Sequence, residues 1–151
     1  MPLAKTHKWH IFLSHIWANA QDQCATIKRQ LCLLLPGVRI FLDVDDLEDI
    51  GSLEDYISQS ACIMVFISKG YFKSPNCLRE VRAFVAAKRA DQGLILVRET
   101  APTHGAASLE ELRAECPPDL AAEVFTRAHL QLLIPFYRQA RGGGWVGTSR
   151  C

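Results

Sequence analysis

Short uninterrupted apolar runs, alternating with stretches of helical periodicity, constrain this chain more than any other feature. Residues 9–13, 38–42, 62–67 and 94–97 are such runs. A strand that is apolar on both faces is one covered on both faces, as in a parallel sheet. Between the first two runs, Cys24, Ile27, Leu31 and Leu34 recur at steps of three and four, and Pro36-Gly37 ends the pattern. Residues 43–51 form an acidic loop, and residues 53–60 a short helical stretch. Ser74-Pro75 is a helix start, with Ser able to cap free amides and Pro tolerated in the first turn. Leu78, Val81 and Val85 then mark an apolar stripe, with Phe84 and Cys77 beside it.

The order strand-helix-strand-helix-strand-helix-strand predicts an α/β domain: an open, mostly parallel sheet with helices on both faces. Its crossovers are right-handed, and its binding sites lie beyond the carboxyl ends of the strands. Past residue 97 the pattern is weaker. Residues 98–108 read as a loop. Residues 109–116 read as a helix broken by Pro117-Pro118, and 119–127 as another. Residues 130–134 make a fifth strand stopped by Pro135. One domain is expected over residues 8–138, with a glycine-rich flexible tail at 139–151.

A chain of 151 residues with 49% hydrophobic and 22% charged residues can build one core. Seventeen basic and sixteen acidic side chains leave a net charge of +1, which offers no electrostatic case for nucleic acid or for an anionic membrane. No apolar stretch reaches the ~18 residues of a membrane helix, and the polar start lacks the middle of a secretory signal. A cytoplasmic protein is expected. Its six cysteines include no C-x-x-C pair, so zinc knuckles and dithiol motifs are excluded. Cys24, Cys32 and Cys62 sit among apolar neighbours and are expected to be buried, reduced thiols.

Polar clusters follow the strands. Ser14, His15, Trp17 and Asn19 come after the first. Asp43, Asp45, Asp46, Glu48 and Asp49 come after the second. Ser68, Lys69, Ser74, Asn76, Cys77 and Glu80 come after the third. No glycine-rich phosphate loop follows any strand, which disfavours a dehydrogenase or a P-loop enzyme. A phospho-accepting receiver would want its acidic pair after the first strand, where Ser14-His15 stands instead.

Four motifs in order carry a family resemblance. Ile11-Phe12-Leu13-Ser14-His15 is the first. Ile40-Phe41-Leu42-Asp43, followed by Leu47-Glu48-Asp49-Ile50-Gly51, is the second. Residues 60–71 form the third and Ser74-Pro75-Asn76-Cys77-Leu78-Arg79-Glu80-Val81 the fourth. Together they resemble a Toll/interleukin-receptor (TIR) domain of the plant and microbial kind, over nearly half the chain. The resemblance implies a flavodoxin-like open sheet of five parallel strands. It also implies one of two activities: cleavage of NAD⁺ between nicotinamide and ribose, or signalling by assembly with further TIR domains. No metal or separate cofactor is implied, NAD⁺ being the substrate. Asp45, Asp46, Leu47, Glu48, Asp49, Ile50 and Gly51 correspond to the family's BB loop, which packs on a neighbouring domain and completes the site.

For cleavage, the resemblance aligns Glu80 with the family's catalytic glutamate. A carboxylate suits that role because the ribose becomes oxocarbenium-like while nicotinamide leaves as a neutral base. On spacing alone, Glu80 between Arg79 and Arg82 reads as a solvated helix residue, and only the aligned motif turns the reading to catalysis. Ser74 is either a helix cap or a substrate contact, or both. Asn76 stands where plant members have tryptophan, and Ile16 and Trp17 replace the family's arginine and glycine. The grip on a base and on the diphosphate is therefore reduced, with Trp17 a candidate stacking face and His15 a candidate polar contact. Cys77, paired with His15, is a less favoured nucleophile. The acidic loop matches no calcium-loop spacing. The expected function is NAD⁺ glycohydrolysis in a self-associating domain, the alternative a non-catalytic TIR–TIR interaction module.

Overall fold

A computed structural model of the chain describes residues 3, 6–42, 52–87 and 93–138. Strand β1 (Trp9–His15) leads into helix α1 (Trp17–Leu34), strand β2 (Ile40–Leu42) and, after the undescribed residues 43–51, helix α2 (Leu53–Ser58). Strand β3 (Ser60–Ile67) passes through a 3-10 turn (Tyr71–Lys73) into helix α3 (Pro75–Ala86), and strand β4 (Leu94–Glu99) follows. Helices α4 (Leu109–Glu115), α5 (Pro118–Val124) and α6 (Arg127–Gln131) precede strand β5 (Ile134–Phe136).

The five strands form one sheet in the order β2-β1-β3-β4-β5, and every neighbouring pair is parallel. Alternate residues along each central strand feed opposite cores. Phe12, Ile63, Val65 and Ile67 pack with Leu53, Val81, Phe84 and Leu112, while Leu13, Met64, Phe66 and Val97 pack with Ala20 and Cys24 of α1. Both faces are thus buried, which is why the strands are continuous apolar runs. The strand order places a topological switch between β1 and β3, where the chain leaves the sheet in opposite directions.

Several sequence expectations are corrected. Cys32 is exposed rather than buried, because α1 seats Ala20 and Cys24 on the sheet and turns Cys32 away. Leu34 is 73% exposed at the end of α1, beyond the contact. Cys62 is half-buried. In α3 the buried stripe runs through Cys77, Glu80, Val81 and Phe84, while Leu78 and Val85 lie at its margin. The helix expected at 109–116 does end before Pro117-Pro118, Pro118 also opening the next; the helix expected at 119–127 stops at Val124, and a separate α6, capped by Thr126, begins at Arg127. The fifth strand starts at Ile134 and contains Pro135. An edge strand with one neighbour tolerates a residue that lacks an N–H. The tail at 139–151 lies outside the described residues.

The loops after β3 and β4 meet at the carboxyl edge, where Lys69 N donates to the Gly105 carbonyl at 2.8 Å. Asn19 donates from Nδ2 to the Lys69 carbonyl (3.2 Å) and accepts from Ser68 Oγ (2.7 Å). Gly105, at φ +86°, lies under that amide, and a Cβ there would stand 2.7 Å from Asn19 Nδ2. Gly37 has a similar φ of +84° but open space around it. Gly37→Ala is expected to cost only the left-handed penalty, about 1–2 kcal/mol. Gly105→Ala adds the clash and should cost about 2–3 kcal/mol. Thermal unfolding of the two variants side by side checks the difference.

Candidate active site at the carboxyl edge

The site is built where β1 and β3 deliver their chains at the switch. β1 carries Ser14 and His15 to its carboxyl end, both buried. Ile16 stays extended (φ −82°, ψ 131°), so α1 begins at Trp17 and faces this tryptophan to the edge. After β3, Gly70 adopts a left-handed φ of +88° and turns the chain into the 3-10 segment that buries Tyr71. Ser74 then caps α3, accepting from Cys77 N at 3.4 Å, with Pro75 in the first turn.

Helical spacing sets Glu80 one turn beyond Cys77 and one turn before Phe84, on the face that meets the sheet. Glu80 is therefore only 3% exposed. Its carboxylate accepts a hydrogen bond at Oε2 from Ser14 Oγ, and Ser14 Oγ lies 2.5 Å from the Tyr71 hydroxyl. Burial pushes the Tyr71 phenol well above its ordinary pKa, and the nearby Cys77 and Glu80 charges push it further. Cys77 Sγ meets the His15 carbonyl oxygen at 3.4 Å, tying α3 to the end of β1. The arginines on either side of Glu80 are engaged outward. Arg79 makes a two-pronged ion pair with Glu54, its Nη2 donating to Oε2 at 2.5 Å, and Arg82 reaches Asp119 at 2.6 Å. The Arg79 guanidinium holds the Glu54 carboxyl below its ordinary range, as Arg82 does for Asp119.

Beside this carboxylate lies a hollow of about 220 Å³, lined by His15, Ile16, Trp17, Ala18, Ser74, Asn76, Cys77 and Glu80. Six of the sequence candidates share it: Glu80, His15, Trp17, Ser74, Asn76 and Cys77. Trp17 is 52% exposed and presents its indole at the rim. Ser14 is not among the lining residues and stands behind Glu80 instead. Asp45, Asp46, Leu47, Glu48, Asp49, Ile50 and Gly51 lie outside the described residues. Among the described residues, no group of three His, Cys, Asp or Glu side chains could share a metal ion. No described helix is long and apolar enough to cross a membrane.

Two residues that sequence reasoning passed over matter here. Tyr71 shares a hydrogen bond with Ser14 behind the Ser14–Glu80 pair. Glu99, buried at the end of β4, accepts from Thr100 N and Ala101 N (2.9 Å each) and from Gln23 Nε2 (2.8 Å). It lies away from the hollow and ties α1 to the loop after β4. Its signal in the sequence was an acid closing an apolar run, which is too common to single out.

Ser74 has a cap to hold and also borders the hollow. Ser74→Ala is expected to lower stability by about 0.5–2 kcal/mol, and Ser74→Asp to keep most of it. Urea unfolding with an unchanged slope checks the cap independently of any ligand.

The architecture defines a flavodoxin-like α/β protein with its hollow at the switch between the two central strands. A profile of the family described as TIR domain matches residues 11–130. The chain belongs to the TIR-domain family. No curated protein sequence matches it. Among solved structures it is similar to a metazoan TIR-STING receptor from C. gigas in complex with 2',3'-cGAMP, with TM-score 0.59 and 17% identity over 89% of this chain and 36% of that one. A second structure of a TIR-STING receptor from C. gigas gives TM-score 0.59 and 16% identity, over 87% and 41% of the two chains. The TIR domains of the activated Roq1 resistosome, which directly recognises the pathogen effector XopQ, give TM-score 0.52 and 21% identity over 83% and 73%. At these identities the likeness is one of fold. The chain spans less than half the length of the TIR-STING receptor chains.

Proposed function

We propose that this TIR domain is a cytosolic NAD⁺ glycohydrolase, releasing nicotinamide and ADP-ribose or a cyclic isomer. The observation that carries the reading is a carboxylate, Glu80, buried at the floor of a hollow on the carboxyl edge of the sheet. A hollow of about 220 Å³ is smaller than the ~300–1,000 Å³ typical for a whole drug-sized ligand. It suits the nicotinamide–ribose end, with the remainder of the dinucleotide running over the rim.

The chemistry needs little from the protein beyond charge and placement. The bond from the ribose C1′ to the pyridinium nitrogen breaks, and both electrons leave with nicotinamide, which departs neutral. Positive charge develops over the ribose C1′ and ring oxygen. Glu80 stabilises that charge, and a carboxylate only 3% exposed attracts it more strongly than one in open water. Water adds at C1′ and gives up a proton to solvent; in the cyclic isomer an atom of the adenosine half adds instead. Trp17 offers an indole face against which a cationic pyridinium would stack. Ser74 and Asn76 offer polar contacts to the ribose.

Self-association belongs to the same proposal, on the family resemblance. Asp45, Asp46, Leu47, Glu48, Asp49, Ile50 and Gly51 of one copy would border the hollow of the next. Charge reversal at Asp45 and Asp46 is then expected to lower assembly and turnover together, read by light scattering and nicotinamide release on the same samples. Full turnover in a strictly monomeric sample removes the shared site.

The competing reading is a non-catalytic interaction module. Leu33, Leu34 and Leu35 favour it, since they expose a run of large apolar side chains at the end of α1. One assay decides. Concentrated protein is incubated with NAD⁺ and crowding agent, and free nicotinamide is followed. Release that depends on Glu80 supports the enzyme. No release from assembled protein leaves the module.

A further inference from the structure

We propose that Tyr71 is a positioning residue for Glu80, acting through Ser14 as a one-way hydrogen-bond relay. The proposal rests on the hydrolase reading and adds to it a residue that does not line the hollow.

Proton count fixes the direction of the relay. The hydrolase reading requires Glu80 ionised, and an ionised carboxylate only accepts, so Ser14 spends its single hydroxyl proton on Glu80 Oε2. The 2.5 Å contact between Ser14 Oγ and the Tyr71 hydroxyl must then run the other way, with Tyr71 donating. Tyr71 is fully buried, and its ring packs edge-on against Phe72 with centroids 4.9 Å apart. Burial holds the phenol in its neutral form, so the donor end of the relay does not switch off. A hydroxyl that is itself receiving a hydrogen bond is a better donor, and the effect is larger away from water. Tyr71 therefore locks the Ser14 rotor, and Ser14 fixes the carboxylate of Glu80, a residue that borders the hollow. The three residues come from β1, the turn after β3 and α3, which makes the relay a clamp across the switch point. Besides Tyr71, Arg79 of α3 interacts electrostatically with the carboxylate, and His15 of β1 and Cys77 of α3 line the same hollow. None of these makes the contact between Ser14 and Tyr71.

The test compares Tyr71→Phe, Ser14→Ala and the double variant with the wild type by nicotinamide release from NAD⁺. Tyr71→Phe keeps the ring and its packing. It is expected to lower kcat about tenfold with KM unchanged and with an unfolding midpoint near that of the wild type. Because Tyr71 acts only through Ser14, the double variant should be no slower than Ser14→Ala alone. A loss under twofold for Tyr71→Phe, or losses that multiply in the double variant, would overturn the relay. Proton NMR provides a second readout. A slowly exchanging Tyr71 hydroxyl proton should be visible in the wild type, absent in Tyr71→Phe and shifted in Ser14→Ala. If the wild type releases no nicotinamide, the hydrolase reading falls and this resonance alone decides the relay. Its absence from the wild type rejects the relay whatever the turnover.

Discussion

Glu80→Gln is expected to lower nicotinamide release by at least about a hundredfold, the scale for removing one preorganised electrostatic stabiliser. The substitution keeps the shape of the side chain and an oxygen able to accept from Ser14, and removes only the charge. The ribose cation then loses the anion nearest to it, so kcat falls much more than KM rises. Stability should move the other way. A carboxylate that is 3% exposed is costly to bury, and a neutral amide is less so. The unfolding midpoint of Glu80→Gln should equal or exceed that of the wild type. Activity lost at undiminished stability marks a group kept for function. A midpoint several degrees lower with turnover retained would make Glu80 a structural residue and leave the interaction module as the better reading.

Phe41→Ala is expected to be among the most destabilising single changes, at about 3–5 kcal/mol. Phe41 is fully buried in the three-residue strand β2. Its ring stacks on Phe12 (centroids 5.0 Å apart) and on Tyr56 (4.6 Å), and meets Trp9 edge-on at 5.4 Å. Removing it opens a cavity at the meeting point of β1, β2 and α2, and undoes three aromatic pairs at about 0.5–1.5 kcal/mol each beyond their area. Against the ~5–15 kcal/mol that holds a domain together, this is a large share. Urea unfolding at an unchanged slope measures it. Phe41→Leu refills most of the volume and should cost less than half as much. Equal losses for Ala and Leu would mean that the ring contacts, not the filled space, set the stability.

Much of the fold was legible because burial on both faces leaves an unbroken apolar run. Residues 62–67 could be placed as a central strand on that ground alone, and residues 94–97 likewise. Ser74-Pro75 announced a helix start by local chemistry, and the cap is there. The carboxyl edge could be named as the place to look, since parallel strands deliver their loops to one side. The later part was harder to read for a physical reason. Helices α4, α5 and α6 have seven, seven and five residues, too short for periodicity to separate them. Pro135 marked the end of a strand by the ordinary rule, and only its place at a sheet edge explains why it is inside one.

Glu80 shows the same divide at the site. Two stripes one residue apart, through Leu78 and Val85 or through Cys77 and Phe84, fit α3 almost equally well. Glu80 lies between Arg79 and Arg82, so it looks solvated on the first and buried on the second. Packing chose the second, because Cys77 and Phe84 fit against β1 and β3 while the arginines found Glu54 and Asp119 at the surface. By itself, the amino-acid order determined the layered α/β architecture and pointed to the carboxyl edge and, by resemblance, to Glu80 as the candidate carboxylate. The tertiary structure alone decided which way that carboxylate faces and what holds it. Ser14 is 66 residues from Glu80 and 57 from Tyr71 along the chain. A hydrogen bond across such separations exists only once the sheet has brought the ends of two strands together, and no local periodicity encodes it.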